Sequence, residues 1–98
     1  MSFEWDDAKC ESNLLKHGVD FRRAVQIFES NGFIERPDLR RSYGETRIRC
    51  TGQIDGRIYV VIYTWRGSNK RIISARKANG REIRAYHASN GGRGSATP

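Results

Sequence analysis

Apolar and polar residues follow two different periods along this 98-residue chain, and the changes of period mark out its elements. Ser2 to Trp5 alternates, with Phe3 and Trp5 on one side, which predicts a short extended segment at a sheet edge. Asp6 or Asp7 then stands where a helix N-cap is wanted. A helix follows through about Lys16, its far end anchored by Leu14 and Leu15 and terminated by Gly18. Asp20 caps a second helix, in which Phe21, Ala24, Val25 and Phe28 fall at i, i+3, i+4 and i+7. The short connection HGVD makes the two a helical hairpin. Ser30-Asn31-Gly32 ends it, and Phe33-Ile34 starts a strand that Pro37 stops.

After a charged loop over residues 38–44 the period becomes two. From Glu45 to Thr51, residues Thr46, Ile48 and Cys50 face one way and Glu45, Arg47 and Arg49 the other. Arg57 to Trp65 is almost continuously apolar, β-branched or aromatic, the mark of a central strand buried on both faces. Asp55-Gly56 before it is a hairpin turn, and Arg66 to Asn69 is a second turn leading to a strand over Lys70 to Arg76. A last helix runs from Asn79 to about Ala88, with Asn79 and Glu82 spaced as a capping box. The predicted fold is α+β: an N-terminal helical hairpin packed on an antiparallel meander sheet, with a short C-terminal helix. Residues 1–88 form one domain, and the Gly/Ser-rich residues 89–98 form a disordered tail.

Charge changes the picture. Residues 1–39 hold five Lys/Arg against eight Asp/Glu, a net −3, whereas residues 40–98 hold thirteen against three, a net +10. Eleven of those thirteen cations are arginines, whose planar fork suits phosphate. They are densest from Arg71 to Tyr86, where Arg71, Arg76, Lys77, Arg81 and Arg84 meet only Glu82 in opposition. A polyanion is the expected partner of this half, with an acidic protein or a membrane surface as the other readings. The membrane is disfavoured because no basic amphipathic helix with an apolar face is present. No apolar run spans a bilayer and the start of the chain is acidic and polar, which points to the cytoplasm. Cys10 and Cys50 form no CxxC and are expected to stay reduced.

Candidate chemistry narrows by elimination. His17 and His87 are the only histidines and neither has ligand spacing, so no metal and no cofactor is expected. No phosphate-binding glycine loop opens a helix, and no serine sits at a nucleophile elbow. Metal-free cleavage of RNA remains, because RNA carries its own 2′-hydroxyl nucleophile and needs only a base, an acid and cations on the phosphorane. Glu45, His17 and Tyr86 are candidates for proton transfer, and Arg47, Arg49, Arg66, Arg71 and Arg76 for holding phosphate. Each has a plainer reading. His17 suits a helix end, Tyr86 a core aromatic and Glu45 a cross-strand ion pair. The same cations also fit a non-catalytic module that docks an acidic protein or operator DNA.

The combination of Phe3-Glu4-Trp5-Asp6, Asn13, Lys16-His17-Gly18-Val19, Phe21, Ala24, Ile27-Phe28, Glu45, Arg47, the run Arg71 to Ala78, Glu82 and Tyr86 resembles the BrnT toxins, over about residues 3–86. That resemblance implies a RelE-like fold and a metal-independent ribonuclease toxin that arrests translation, on or off the ribosome. It also implies neutralisation by a BrnA-like ribbon-helix-helix antitoxin, with operator DNA met only through the complex. By position it nominates Arg47, Arg76 and Tyr86 for catalysis, with Glu45 and His17 next. Arg49, Arg66, Arg71, Lys77 and Arg81 are then expected to bind RNA, with Arg81 and Arg84 steering phosphate or meeting the antitoxin. The chain departs from the family at Asn79-Gly80, where Thr and a basic residue are common.

Overall fold

The period-two stretch forms the middle of a five-stranded sheet in order β1-β5-β4-β3-β2. The computed structural model describes residues 2–39 and 44–96, with the backbone alone for 90–96. Residues 40–43 of the expected charged loop, and 97–98 of the expected tail, lie outside the described residues. The strands are β1 (Ser2–Glu4), β2 (Ile34–Pro37), β3 (Ile48–Ile54), β4 (Arg57–Arg66) and β5 (Asn69–Lys77). The helices are α1 (Asp7–His17), α2 (Phe21–Ala24) and α3 (Gly80–Ala96), with a 3-10 helix (Val25–Glu29) continuing α2. The class is α+β, as expected. Strands β3, β4 and β5 form the antiparallel meander, but β1 joins β5 in parallel, so the sheet is mixed.

Local chemistry accounts for the turns. Asp55 and Gly56 have φ of 49° and 81°, the two positive values a type I′ hairpin requires. Its flanking residues Ile54 and Arg57 pair directly. Between β4 and β5 the register shifts: Ile62 faces Ser74 while Tyr63 faces Ile72, so Ile73 is the extra residue of a β-bulge.

The helices differ from expectation in two ways. The second is a single α-turn that tightens into 3-10. With three residues per turn, Phe21, Ala24 and Ile27 line up, and all three are fully buried, while Val25 and Phe28 are only partly so. In α1, Leu14 and Leu15 do not anchor the far end; Leu15 is 89% exposed. The inward positions are Cys10 and Asn13. A polar residue lies there because β1 covers β5 only as far as Arg71, which leaves the edge of β5 open beyond it. Asn13 closes that edge. Its Nδ2 donates to the Ala75 carbonyl (2.8 Å) and the Val19 carbonyl (2.9 Å), and its Oδ1 accepts from the Ala75 N–H (3.2 Å). One carboxamide thus replaces a neighbouring strand.

The core lies between these helices and one face of the sheet, built on Phe21, Ala24, Ile27, Cys50, Val61, Tyr63, Ile72 and Ala75. Cys10 and Cys50 are free and buried, and burial pushes the Cys50 thiol up to about 12. Lys70 is also buried on this side. Its Nζ lies 3.9 Å from the Phe28 ring centre, 4.9 Å from Tyr63 and 5.4 Å from Trp65, a cation held by aromatic faces.

Gly52 marks the closest approach of the two layers. A Cβ there would lie 2.7 Å from Ile27 Cγ1 and 2.9 Å from Phe33 Cβ. Gly52→Ala is expected to destabilise the protein by roughly 1–3 kcal/mol through overpacking, read from the midpoint of chemical unfolding. An unchanged midpoint would mean that the layers separate without cost.

Asp20 gives a second expectation. It caps α2 by accepting from the Arg22 N–H (2.8 Å), and it holds the Arg22 guanidinium at 2.7 and 3.0 Å. The Arg22 fork first, and the Arg22 N–H second, lower its carboxyl to about 2. A lowered acid stabilises the fold fully above its unfolded value near 4 and loses that stabilisation as pH falls toward 2. Unfolding midpoints of wild type and Asp20→Asn should therefore converge as pH drops from 6 to 2. A gap that stays constant would show that the charge contributes nothing.

Candidate active site

The sheet face turned away from α1 and α2 is where the arginines gather. Register arranges them in rows. Arg76, Val60, Thr51 and Ile34 form one row across β5, β4, β3 and β2. Ser74, Ile62, Arg49 and Arg36 form the next, and Glu4, Arg71 and Thr64 a third. Rows on one face are ~7 Å apart. The Ile73 bulge is what brings Arg71 onto the same face as Arg76, since strict alternation would put residues five apart on opposite faces.

α3 crosses one end of this face. Asn79 caps it: Asn79 Oδ1 accepts from the Glu82 N–H (2.8 Å), and Glu82 Oε1 accepts from the Asn79 N–H (2.9 Å), the reciprocal box expected from the sequence. Its backbone continues to Ala96, past the expected end near Ala88 and through residues expected to be tail. Gly91, Gly92 and Gly94 weaken a helix but do not forbid one, and no proline interrupts it before Pro98. The box also serves the sheet. Glu82 receives the Arg76 fork, Nη1 to Oε1 at 2.7 Å and Nη2 to Oε2 at 2.8 Å. The fork first, and the Asn79 N–H after it, hold the Glu82 carboxyl below its usual value against the opposing effect of burial.

Two other carboxylates sit at the far end of the face. Glu45 accepts from Arg47 Nε at 3.1 Å and lies 3.9 Å from Arg66. Glu4 accepts from Arg71 at 2.8 Å and Asn69 at 3.0 Å; the Asn69 bond, then Arg71, lower its carboxyl. Glu45 and Arg47 precede β3 instead of lying within it. Thr64 fastens their segment by donating to the Thr46 carbonyl (2.6 Å). Tyr86 is buried and lines a cleft of about 120 Å³ between α3 and strands β2 and β3. Arg49 and Glu82 line the same cleft.

The structure therefore brings together Arg76, Tyr86 and Arg49 beside α3, and Arg47, Glu45, Arg66 and Arg71 at the other end of the same face. His17, in the last turn of α1, does not line the cleft and joins none of these side chains. Lys77 pairs with Tyr59 across the strands and Arg81 is exposed on the first turn of α3; neither lines the cleft. Sequence reasoning missed two residues. Glu82 enters the sequence reading as a cap and as the lone opposing charge of its stretch but with no part in the site, although its place six residues after Arg76 would let one carboxylate serve both. Arg36 carried no signal beyond a cation before Pro37.

An arginine-lined sheet face with few carboxylates and a helix across one end defines a small α+β protein fitted to polyanionic phosphate. The family model for the ribonuclease toxin BrnT of type II toxin–antitoxin systems matches residues 5–82. The chain belongs to that family: it is a ribonuclease toxin of a type II toxin–antitoxin system, with RNA as substrate and an antitoxin as partner. This favours catalysis over the non-catalytic docking module. No curated protein matches the chain. No helix among the described residues is long and apolar enough to cross a membrane.

Proposed function

We propose that the arginine face cleaves RNA without a metal ion, on a RelE-like scaffold. The 2′-oxygen attacks the neighbouring phosphorus, the bond to the 5′-oxygen breaks, and the products are a 2′,3′-cyclic phosphate and a 5′-hydroxyl. Arg76 holds the equatorial oxygens of the phosphorane, and Arg47 supports the charge from the far end of the face. Glu82 is an orienting carboxylate: both its oxygens are occupied by the Arg76 fork. Tyr86 passes the proton to the leaving 5′-oxygen from the wall of the cleft, and the 2′-proton goes to water there. Glu45, held by Arg47 and Arg66 at the far end of the face, is out of reach of this phosphate and serves as a base only for a strand bound at that end. Charge stabilisation is assigned to the guanidinium groups of the face, Arg76 first among them.

The single observation that carries this reading is Glu82, which braces Arg76 on a basic sheet face and lines the same cleft as Tyr86. The RNA-binding set extends over Arg49, Arg66 and Arg71. The proposed setting is the cytoplasm, with a BrnA-like ribbon-helix-helix antitoxin as partner and operator DNA met through their complex. Incubating the full chain with RNA in EDTA is expected to give fragments ending in cyclic phosphate. RNA left intact across a range of ionic strengths, with and without ribosomes, would overturn the proposal.

A further inference from the structure

The cleft beside α3 holds two cations that form no ion pair with a carboxylate among the described residues, although the Arg49 charge is felt by Glu82 across it. Arg36 on β2 and Arg49 on β3 lie directly opposite each other on one face, and both line the cleft. Like charges in that position repel. Arg36 Nη1 donates to the neighbouring Glu35 carbonyl (3.0 Å), and neither guanidinium makes an ion pair among the described residues. Arg49 is half-buried, so water screens it incompletely. The one carboxylate in the wall is Glu82, whose oxygens are taken by the Arg76 fork and the Asn79 N–H. Glu82 offsets this repulsion only in part, because its charge is already shared with Arg76, and a bound anion between the two guanidiniums would relieve the rest.

The cleft has room for one. Its volume of about 120 Å³ is several times the ~10–15 Å³ that a single water occupies on such a measure. Thr51 adds a hydroxyl to the lining, and Tyr86 an aromatic wall. Arg49 stands two strands across and one row along from Arg76, roughly 12 Å between Cα atoms by the usual strand and row spacings. Glu82, which holds Arg76, lines the cleft with Arg49 and so bridges that gap. An anion in the cleft would thus neighbour the phosphate held by Arg76.

We infer that Arg36 and Arg49 form a subsite for a second, non-scissile phosphate of single-stranded RNA, next to the one cleaved at Arg76. This rests on the RNA-cleaving reading and adds the side chain that fixes where the strand lies. Arg36 is a binding residue here and touches no reacting atom.

The test uses the full chain and a fluorescein-labelled single-stranded RNA oligonucleotide, with wild type, Arg36→Ala and Arg36→Lys. For Arg36→Ala we expect a rise in KM of about tenfold, the effect falling on KM and not on kcat. The slope of log affinity against log salt should become shallower by about 0.7, one phosphate contact on a single strand. Arg36→Lys, which keeps the charge and loses the fork, should fall between. An unchanged KM and salt slope in Arg36→Ala would overturn the subsite while leaving cleavage at Arg76 intact. Should wild type not cleave the oligonucleotide, the cleavage reading fails, and anisotropy binding of the same RNA still decides the subsite by the same affinity and slope. RNA binding unchanged in Arg36→Ala, with weakened binding to the antitoxin, would assign the pair to the protein partner and overturn the inference. Arg36 is exposed on an edge strand, and a matching melting temperature confirms that the variant is folded.

Discussion

Asn13→Ala is expected to lower the free energy of unfolding by about 3–5 kcal/mol, because three buried backbone groups depend on its side chain. The figure follows from what the alanine leaves behind. The Ala75 N–H and the carbonyls of Ala75 and Val19 each lose a partner at a buried site. Each such group costs about 1–3 kcal/mol when left dry, less where water can enter. Asn13→Asp should recover little, since a carboxylate can accept from the Ala75 N–H but cannot donate to two carbonyls. Urea unfolding followed by circular dichroism reads the change. A loss below about 1 kcal/mol would show that the β5 edge finds other partners, and that α1 is held by its apolar contacts alone.

Arg76→Ala is expected to lower kcat by about 10²–10³-fold, the range for removing one preorganised group from a developing oxyanion. The same change strands Glu82, so stability must be followed beside activity. Arg76→Lys separates the two effects: it keeps a cation near Glu82 but cannot present two parallel donors. Single-turnover cleavage under saturating RNA should be much slower in Arg76→Lys than in wild type even where the melting temperature is close. Glu82→Gln tests the brace from the other side. The amide oxygen can still accept from Asn79, but the charge-assisted fork is weakened, so kcat should fall more than KM rises. Near-wild-type kcat in both Arg76 variants would remove Arg76 from the chemistry and leave it a structural link between β5 and α3.

Much of this architecture was legible in the residues themselves. The alternation from Ile48 onward, the apolar run of β4 and the Asp55-Gly56 turn are local signals, and local backbone preference decides them. The capping box at Asn79 and Glu82 is equally local, three residues apart in sequence and in hydrogen-bond contact in the fold. Helix periodicity was less reliable. Leu14 and Leu15 carry a strong apolar signal, yet the buried place beside them goes to Asn13, because the neighbour is an open strand edge whose polar groups need partners. Likewise the i+4 and i+7 positions Val25 and Phe28 yielded the deepest site to Ile27 once the helix tightened.

The candidate site shows the same division. The sequence alone settled that the back half is basic and rich in arginine, that the strands form a meander, and that the chain resembles a ribonuclease toxin family, which the match over residues 5–82 bears out. These are properties of composition and short-range pattern. Which arginines act together was decided by the tertiary structure. Arg71 and Arg76 share a face only because one extra residue, Ile73, shifts the phase of β5, and a bulge depends on the partner strand's register. Arg36 meets Arg49 only through the pairing of β2 with β3, across a segment of chain whose length says nothing about register. The parallel place of β1, the enclosure of Lys70 by aromatic rings and the closing of the β5 edge by Asn13 are also contacts between residues distant in sequence. Periodicity along a chain reports which side of an element is apolar; it does not say which element will cover it.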